Sequence, residues 1–176
     1  DGGNGVATDS SGDVYVTGWF RAPFITVGSF TLYNENTAGG TSDMFIIKYD
    51  TNGNVLWAKS AGSTDDDKGN SCVVDAMGNV TVTGYCKGDS INIAGNYYYN
   101  HGSKDAFVAK YNAAGVLLAA KVIGGSGSEE GFACSADAQG NVFVTGKSSS
   151  SNILLDTISV TNPGSGTVDF LVKLNP

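Results

Sequence analysis

The sequence repeats itself. The segment DSSGDVYVTG at 9–18 returns as DAMGNVTVTG at 75–84 and as DAQGNVFVTG at 137–146, with offsets of 66 and 62. A second segment, DMFIIKYDTNGNVLWAK at 43–59, returns as DAFVAKYNAAGVLLAAK at 105–121 and, shortened, as DFLVKLNP at 169–176. Phe45, Phe107 and Phe170 fall in register, as do Lys48, Lys110 and Lys173. Gly3, Gly69 and Gly131 match one another, and Gly62 matches Gly124. A fixed period of this size marks stacked repeats, in which one supersecondary unit cannot bury its faces until a neighbour covers them.

The units run over 1–68, 69–130 and 131–176, about two and three quarter repeats, with the last strand missing from the third. The first unit is longer by four residues, all within the stretch around 34–41. Insertions collect in surface loops, which carry little packing.

Each unit reads as two hairpins. In the first, 71–75 and 80–84 are strands, and Val80 and Val82 share one face, as Val14 and Val16 or Val142 and Val144 do. Alternation of period two with β-branched residues is a strand signal. In the second, Phe45, Ile47 and Tyr49 face one way and Met44 and Ile46 the other. A strand apolar on both faces is buried on both. Its turn contains Asn52-Gly53, a strong hairpin signal. Shorter segments at 25–33, 91–99 and 153–160 predict a small extra hairpin in each unit. No helical period appears. The fold expected is all-β: tandem four-stranded antiparallel sheets of the kind that form β-propeller blades, here as part of a larger ring. Open faces and unpaired edges at both ends require other blades of the chain, or other copies, to close that ring.

Composition narrows function. Hydrophobic residues are 41 % and charged residues 15 %, a globular balance far from disorder. The net charge is −7 and the ten Lys and Arg are scattered, which argues against nucleic acid and against anionic membranes. No apolar run has the length of a spanning helix. Asp1 to Gly5 look like the middle of a longer polypeptide.

The pattern D-x-x-G-N-V-x-V-T-G followed by D-x-F-x-x-K-Y resembles the bacterial β-propeller repeat family abbreviated SBBP, over nearly the whole chain. Asp75, Gly78, Asn79, Val80, Val82, Thr83 and Gly84, with Asp105, Phe107 and Lys110, carry the resemblance. It implies a secreted or cell-surface bacterial protein without shared catalytic residues. Two positions depart from the pattern: Val168 stands where Asp43 and Asp105 align, and Ala119 replaces Trp57.

The internal copies sort the candidate residues. A feature present in every unit is architectural; a functional one is more often unique. Asp9, Asp75 and Asp137, with Gly12, Gly78 and Gly140, recur and read as structural turns whose carboxylates accept backbone N–H groups. The acidic run Asp65-Asp66-Asp67 keeps only Glu129 in the next unit, so no metal is expected there. His101 is the single histidine and no serine motif accompanies it, so no catalytic residue and no cofactor is expected. Cys72 and Cys134 are equivalent buried thiols, and in a four-residue-turn register Cys72 faces Thr83, so no disulfide with Cys86 is expected. The unique cluster is aromatic: Tyr97-Tyr98-Tyr99 with Asn100 and His101, together with Trp19 and Tyr85. Aligning Tyr97 and Tyr99 with Phe30 and Leu32 sends those two inward and Tyr98 outward. Trp19, Tyr85, Tyr98, Asn100 and His101 are therefore the candidate binding residues, on loops 19–42 and 85–104. The function expected is a non-catalytic scaffold binding a protein, with a carbohydrate-binding or carbohydrate-processing propeller as the rival.

Overall fold

The computed structural model describes residues 1–155, 158–162, 164 and 166–176. These residues hold seventeen strands and no helix. The first unit contains β1 (Gly2–Thr8), β2 (Val14–Phe20), β3 (Phe24–Val27), β4 (Phe30–Tyr33), β5 (Asp43–Tyr49) and β6 (Val55–Gly62). The second contains β7 (Lys68–Val74), β8 (Val80–Cys86), β9 (Ser90–Ile93), β10 (Asn96–Tyr99), β11 (Asp105–Tyr111) and β12 (Leu117–Ile123). The third contains β13 (Glu129–Ala136), β14 (Val142–Ser148), β15 (Asn152–Leu155), β16 (Ile158–Thr161) and β17 (Val168–Leu174).

The strands assemble into blade-like antiparallel sheets ordered β1-β2-β5-β6, β7-β8-β11-β12 and β13-β14-β17. The three small hairpins form as expected, β3-β4, β9-β10 and β15-β16; residues 156 and 157, between β15 and β16, lie outside the described residues. Where they dock is new. Hairpin β9-β10 joins the outer strand of the preceding sheet through Ala61↔Ile93 and Gly62↔Asn92. Leu154 bridges to Gly124 in the same way. The second and third hairpins thus cover part of an edge that would otherwise stand open.

Packing follows the double-faced strands. Met44 and Ile46 of β5 are fully buried and meet Val80 and Val82 of β8 in one cluster with Tyr15, Trp57 and Phe107. Ala106 and Val108 of β11 meet Val142 and Val144 in the next. Every unit therefore offers one face to each neighbour, and area taken from water, at about 25 cal/mol per Å², holds the units together more than any single bond does.

One turn design serves both hairpins of a unit. Asp9, Asp50, Asp75, Asn112 and Asp137 each accept from the backbone N–H three residues on, and their own N–H reaches the carbonyl four residues on. The fourth residue is always glycine, with φ of 86, 83, 79, 77 and 82° at Gly12, Gly53, Gly78, Gly115 and Gly140. Asn52-Gly53 is accordingly no two-residue turn, which needs positive φ at both residues; Asn52 has none. The turn is also one residue longer than the spacing suggested. Val74 pairs with Val80, so Cys72 faces Val82 and not Thr83. All three cysteines are free; Cys72 and Cys86 are buried and Cys134 is half-buried.

Candidate functional site

The recurring aspartates do what their spacing implied and more. Asp75 Oδ1 accepts the N–H groups of Met77 and Asn79 at 2.9 Å each, and Asp9 and Asp137 repeat the pattern. A lysine then reaches across the sheet, half-buried at Lys110 and buried at Lys48: Lys110 Nζ lies 3.0 Å from Asp75, and Lys48 Nζ lies 3.3 Å from Asp9 and 3.0 Å from Asp13. Burial raises the Asp75 carboxyl, but hydrogen bonds from Asn79 and Lys110 outweigh it and hold the group below 3.8. The in-register lysines were visible in the sequence; their partners lie some thirty-five residues away and were not.

A second recurring set lies where one unit meets the next. Asp43 and Asp67 are fully buried at the first junction, and Asp105 and Glu129 hold the same places at the second. Asp67 accepts from Ser63 Oγ at 2.7 Å and from the Lys87 N–H at 3.1 Å. Glu129 accepts from Gly125 N, Ser148 Oγ, Ser150 N and Ser150 Oγ. Burial pushes the Asp67 carboxyl up to about 8, with Asp43 adding to it. Burial likewise takes Asp43 to about 7. Gly62 and Gly124 lie against the Asp43 and Asp105 carboxylates, where any Cβ would collide. Oδ1 of Asp43 and of Asp105 has no hydrogen-bond partner among the described residues. Asp66 turns away to Lys87 at 3.5 Å and Arg21 at 4.0 Å. Among the described residues, no three His, Cys, Asp or Glu side chains converge as metal ligands.

The aromatic cluster is rearranged relative to expectation. β4 and β10 match as Phe30 with Asn96 and Leu32 with Tyr98, because β3 and β9 start at Phe24 and Ser90. That is one residue away from the alignment of Tyr97 with Phe30, and a one-residue slip exchanges the faces. Tyr97 and Tyr99 are therefore exposed, at 62 and 71 %, while Tyr98 is half-buried against the main core. Trp19 carries Lys68 Nζ at 4.2 Å over its ring, and Tyr85 carries Lys104 Nζ at 4.6 Å. Lys104 also meets Glu130 of the third unit at 2.6 Å. Both rings are thus part of the contacts between neighbouring units.

Asn100 is not unique. Its Nδ2 donates to Cys86 O and its Oδ1 accepts Gly102 N; Asn34 and Asn162 repeat the role. The signal was available, since Asn34, Asn100 and Asn162 keep the offsets of 66 and 62. His101 Nδ1 lies 3.1 Å from Asp105 Oδ2, which also accepts the His101 N–H. Burial raises the Asp105 carboxyl, and these bonds act against that rise. Tyr97, Tyr98, Tyr99 and His101 line a cleft of about 380 Å³ with Val122 and Leu154.

No family model matches the chain. It is similar to a WD repeat-containing protein of Acanthamoeba polyphaga mimivirus, 29 % identical over 166 residues, and to the regulatory protein FlaEY of Caulobacter vibrioides, 31 % identical over 146 residues. These matches take in 80 and 81 % of this chain, which spans 12 and 15 % of the length of the two relatives. Sheets of this order, repeated side by side, and similarity to a WD repeat protein point to a repeat scaffold of the β-propeller type.

Proposed function

We propose that the chain is a non-catalytic interaction scaffold of the SBBP kind, belonging to a secreted or cell-surface bacterial protein, which binds a partner protein through its inter-strand loops. One observation supports it above others. The recurring carboxylates, lysines and asparagines are engaged in turns and in the contacts between units, while Tyr97 and Tyr99 remain exposed beside His101. Exposed aromatic rings beside polar groups anchor protein partners at little entropic cost. The similarity to a WD repeat protein agrees with a scaffold for protein interaction. The same cleft also suits stacking on a sugar ring, which keeps a lectin-like role as the second reading.

Affinity capture from the source organism's envelope and medium fractions, beside a glycan array, tests both. Tyr97→Ala with Tyr99→Ala is expected to abolish capture of a protein partner and leave the melting temperature unchanged. Retained capture removes the tyrosines from the site, and a glycan signal lost in the same variant transfers the function to sugar.

A further inference from the structure

Tyr97 also lines a second cleft, of about 310 Å³, between the first and second units. Its walls are Glu35 from the loop after β4, Gly62 and Ser63 at the end of β6, and Asp89, Asn92 and Tyr97 around hairpin β9-β10. Glu35 Oε1 accepts from Asn92 Nδ2 at 2.9 Å, which ties two of these walls together. The Asp89 side chain has no hydrogen bond or ion pair among the described residues. Asp43 lies behind the same walls: it is fully buried, its carboxylate rests against Gly62, and its Oδ2 accepts the Glu35 N–H at 2.8 Å. Asp43 Oδ1 has no hydrogen-bond partner among the described residues. Among those residues no basic side chain lines the cleft, and Lys87 and Arg21 are turned to Asp66.

The second junction lacks this chemistry. There the places of Glu35, Asp89, Asn92 and Tyr97 are taken by His101, Ser151, Leu154 and Ser159. Shared bonds fix the equivalence. The His101 N–H donates to Asp105 as the Glu35 N–H donates to Asp43. The Asn162 N–H donates to Ser151 O as the Asn100 N–H donates to Asp89 O. Leu154 pairs with Gly124 and with Ser159 as Asn92 pairs with Gly62 and with Tyr97. The acidic cleft is therefore unique to one junction, and the architecture of the repeat does not require it.

Charge decides what such a cleft holds. A neutral guest would take water from two carboxylates and return only hydroxyl groups. A cationic guest returns charge-assisted hydrogen bonds, about twice as strong as neutral ones, and is attracted to the face of an aromatic ring. Among basic side chains the guanidinium is planar, weakly hydrated, matched to carboxylates and able to stack on a ring. Resting on the scaffold reading above, we infer that this cleft receives an arginine side chain of the partner protein. Glu35 and Asp89 accept its N–H groups, and Tyr97 packs on its plane. The unpaired Asp43 carboxylate behind Gly62 adds to the attraction when ionised.

Amide NMR titration of the 176-residue chain with an end-blocked Gly-Arg-Gly peptide tests this. The expected result is shifts at 35, 62–63 and 89–97 with a dissociation constant of about 1–10 mM, weakened by added salt. Glu35→Gln with Asp89→Asn abolishes these shifts at an unchanged melting temperature, and Tyr97→Leu weakens binding about two- to fivefold. The matching Gly-Gln-Gly peptide gives no shifts, and Gly-Lys-Gly binds several-fold more weakly. No response to the arginine peptide, an equal response to the glutamine or lysine peptide, or a full response in the double variant overturns the inference. A methyl glucoside that binds where the arginine peptide does not transfers the cleft to sugars. Tyr99→Ala leaves this titration unchanged and no partner is needed for it, so it fails independently of partner capture.

Discussion

The two internal junctions share one backbone design and differ in how they seal. The first is closed by Trp57, whose ring packs with Tyr15 and Tyr111 and whose Nε1 donates to Ala113 O at 3.0 Å. The second has Ala119 in that place, and a gap of about 70 Å³ lies beside it. The buried acids differ as well. Asp67 has one hydroxyl and one backbone N–H for its carboxylate, whereas Glu129, longer by one methylene, gathers four donations from the Gly125 and Ser148–Ser150 segments. Among the described residues Asp43 accepts only the Glu35 N–H, whereas Asp105 has both the backbone and the ring of His101. The lesson is that a repeat fixes where a carboxylate is buried, and the local sequence decides what that burial costs.

Breaking the first seal should have the largest effect. Trp57→Ala removes a side chain 7 % exposed and is expected to cost about 3–5 kcal/mol, seen as a lowered urea midpoint. Next come the glycines. A Cβ on Gly69 or Gly131 would collide with Thr17 or Thr83 of the preceding unit, so Gly69→Val and Gly131→Val should cost about 1–3 kcal/mol or more by urea denaturation, whereas a Cβ on Gly3 meets only Val16 Cγ1, at 3.8 Å, and Gly3→Val should stay within about 0.5 kcal/mol. The third contrast is in pH. The folded Asp43 and Asp67 carboxyls sit at about 7 and about 8, above the ordinary 3.8, so between those values the folded chain binds more protons than the unfolded one. Their contribution is complete below 3.8 and is lost as pH rises through about 8. The melting temperature should fall by about 2–4 °C or more over this span, and Asp67→Asn should flatten the fall. His101→Ala removes the ring from Asp105 Oδ2 but keeps the backbone N–H, so the Asp105 carboxyl should rise further and the melting temperature should fall somewhat more steeply with rising pH than in the parent. The smallest effect is a gain: Ala119→Leu fills the gap at the second junction and should add about 0.5–1 kcal/mol by thermal denaturation.

Most of the architecture could be read from the chain. The strands, the extra hairpins and the double-sided burial of β5 and β11 all follow from period-two patterns at constant offsets. The turn aspartates were legible because their partners lie within four residues. The failures have one cause, which is register. The five-residue turn shifted Cys72 from Thr83 to Val82, and a one-residue slip between β4 and β10 exchanged the faces of Tyr97, Tyr98 and Tyr99. Alternation tells which residues share a face, and only pairing tells which face is inside. The contact of Trp19 with Lys68 could not be read from the chain, because the two lie 49 residues apart, whereas the recurring role of Asn100 was legible in the constant offsets of Asn34, Asn100 and Asn162.

Local chemistry travels with the residues that carry it, so the sequence by itself determined the repeat, its strands and its glycine-ended turns. Which side of each strand became interior, which carboxylates lost their water, and which glycines lie against a threonine were decided only when the sheets stacked. Those outcomes depend on contacts about sixty residues apart, and no pattern within one unit encodes the position of the next.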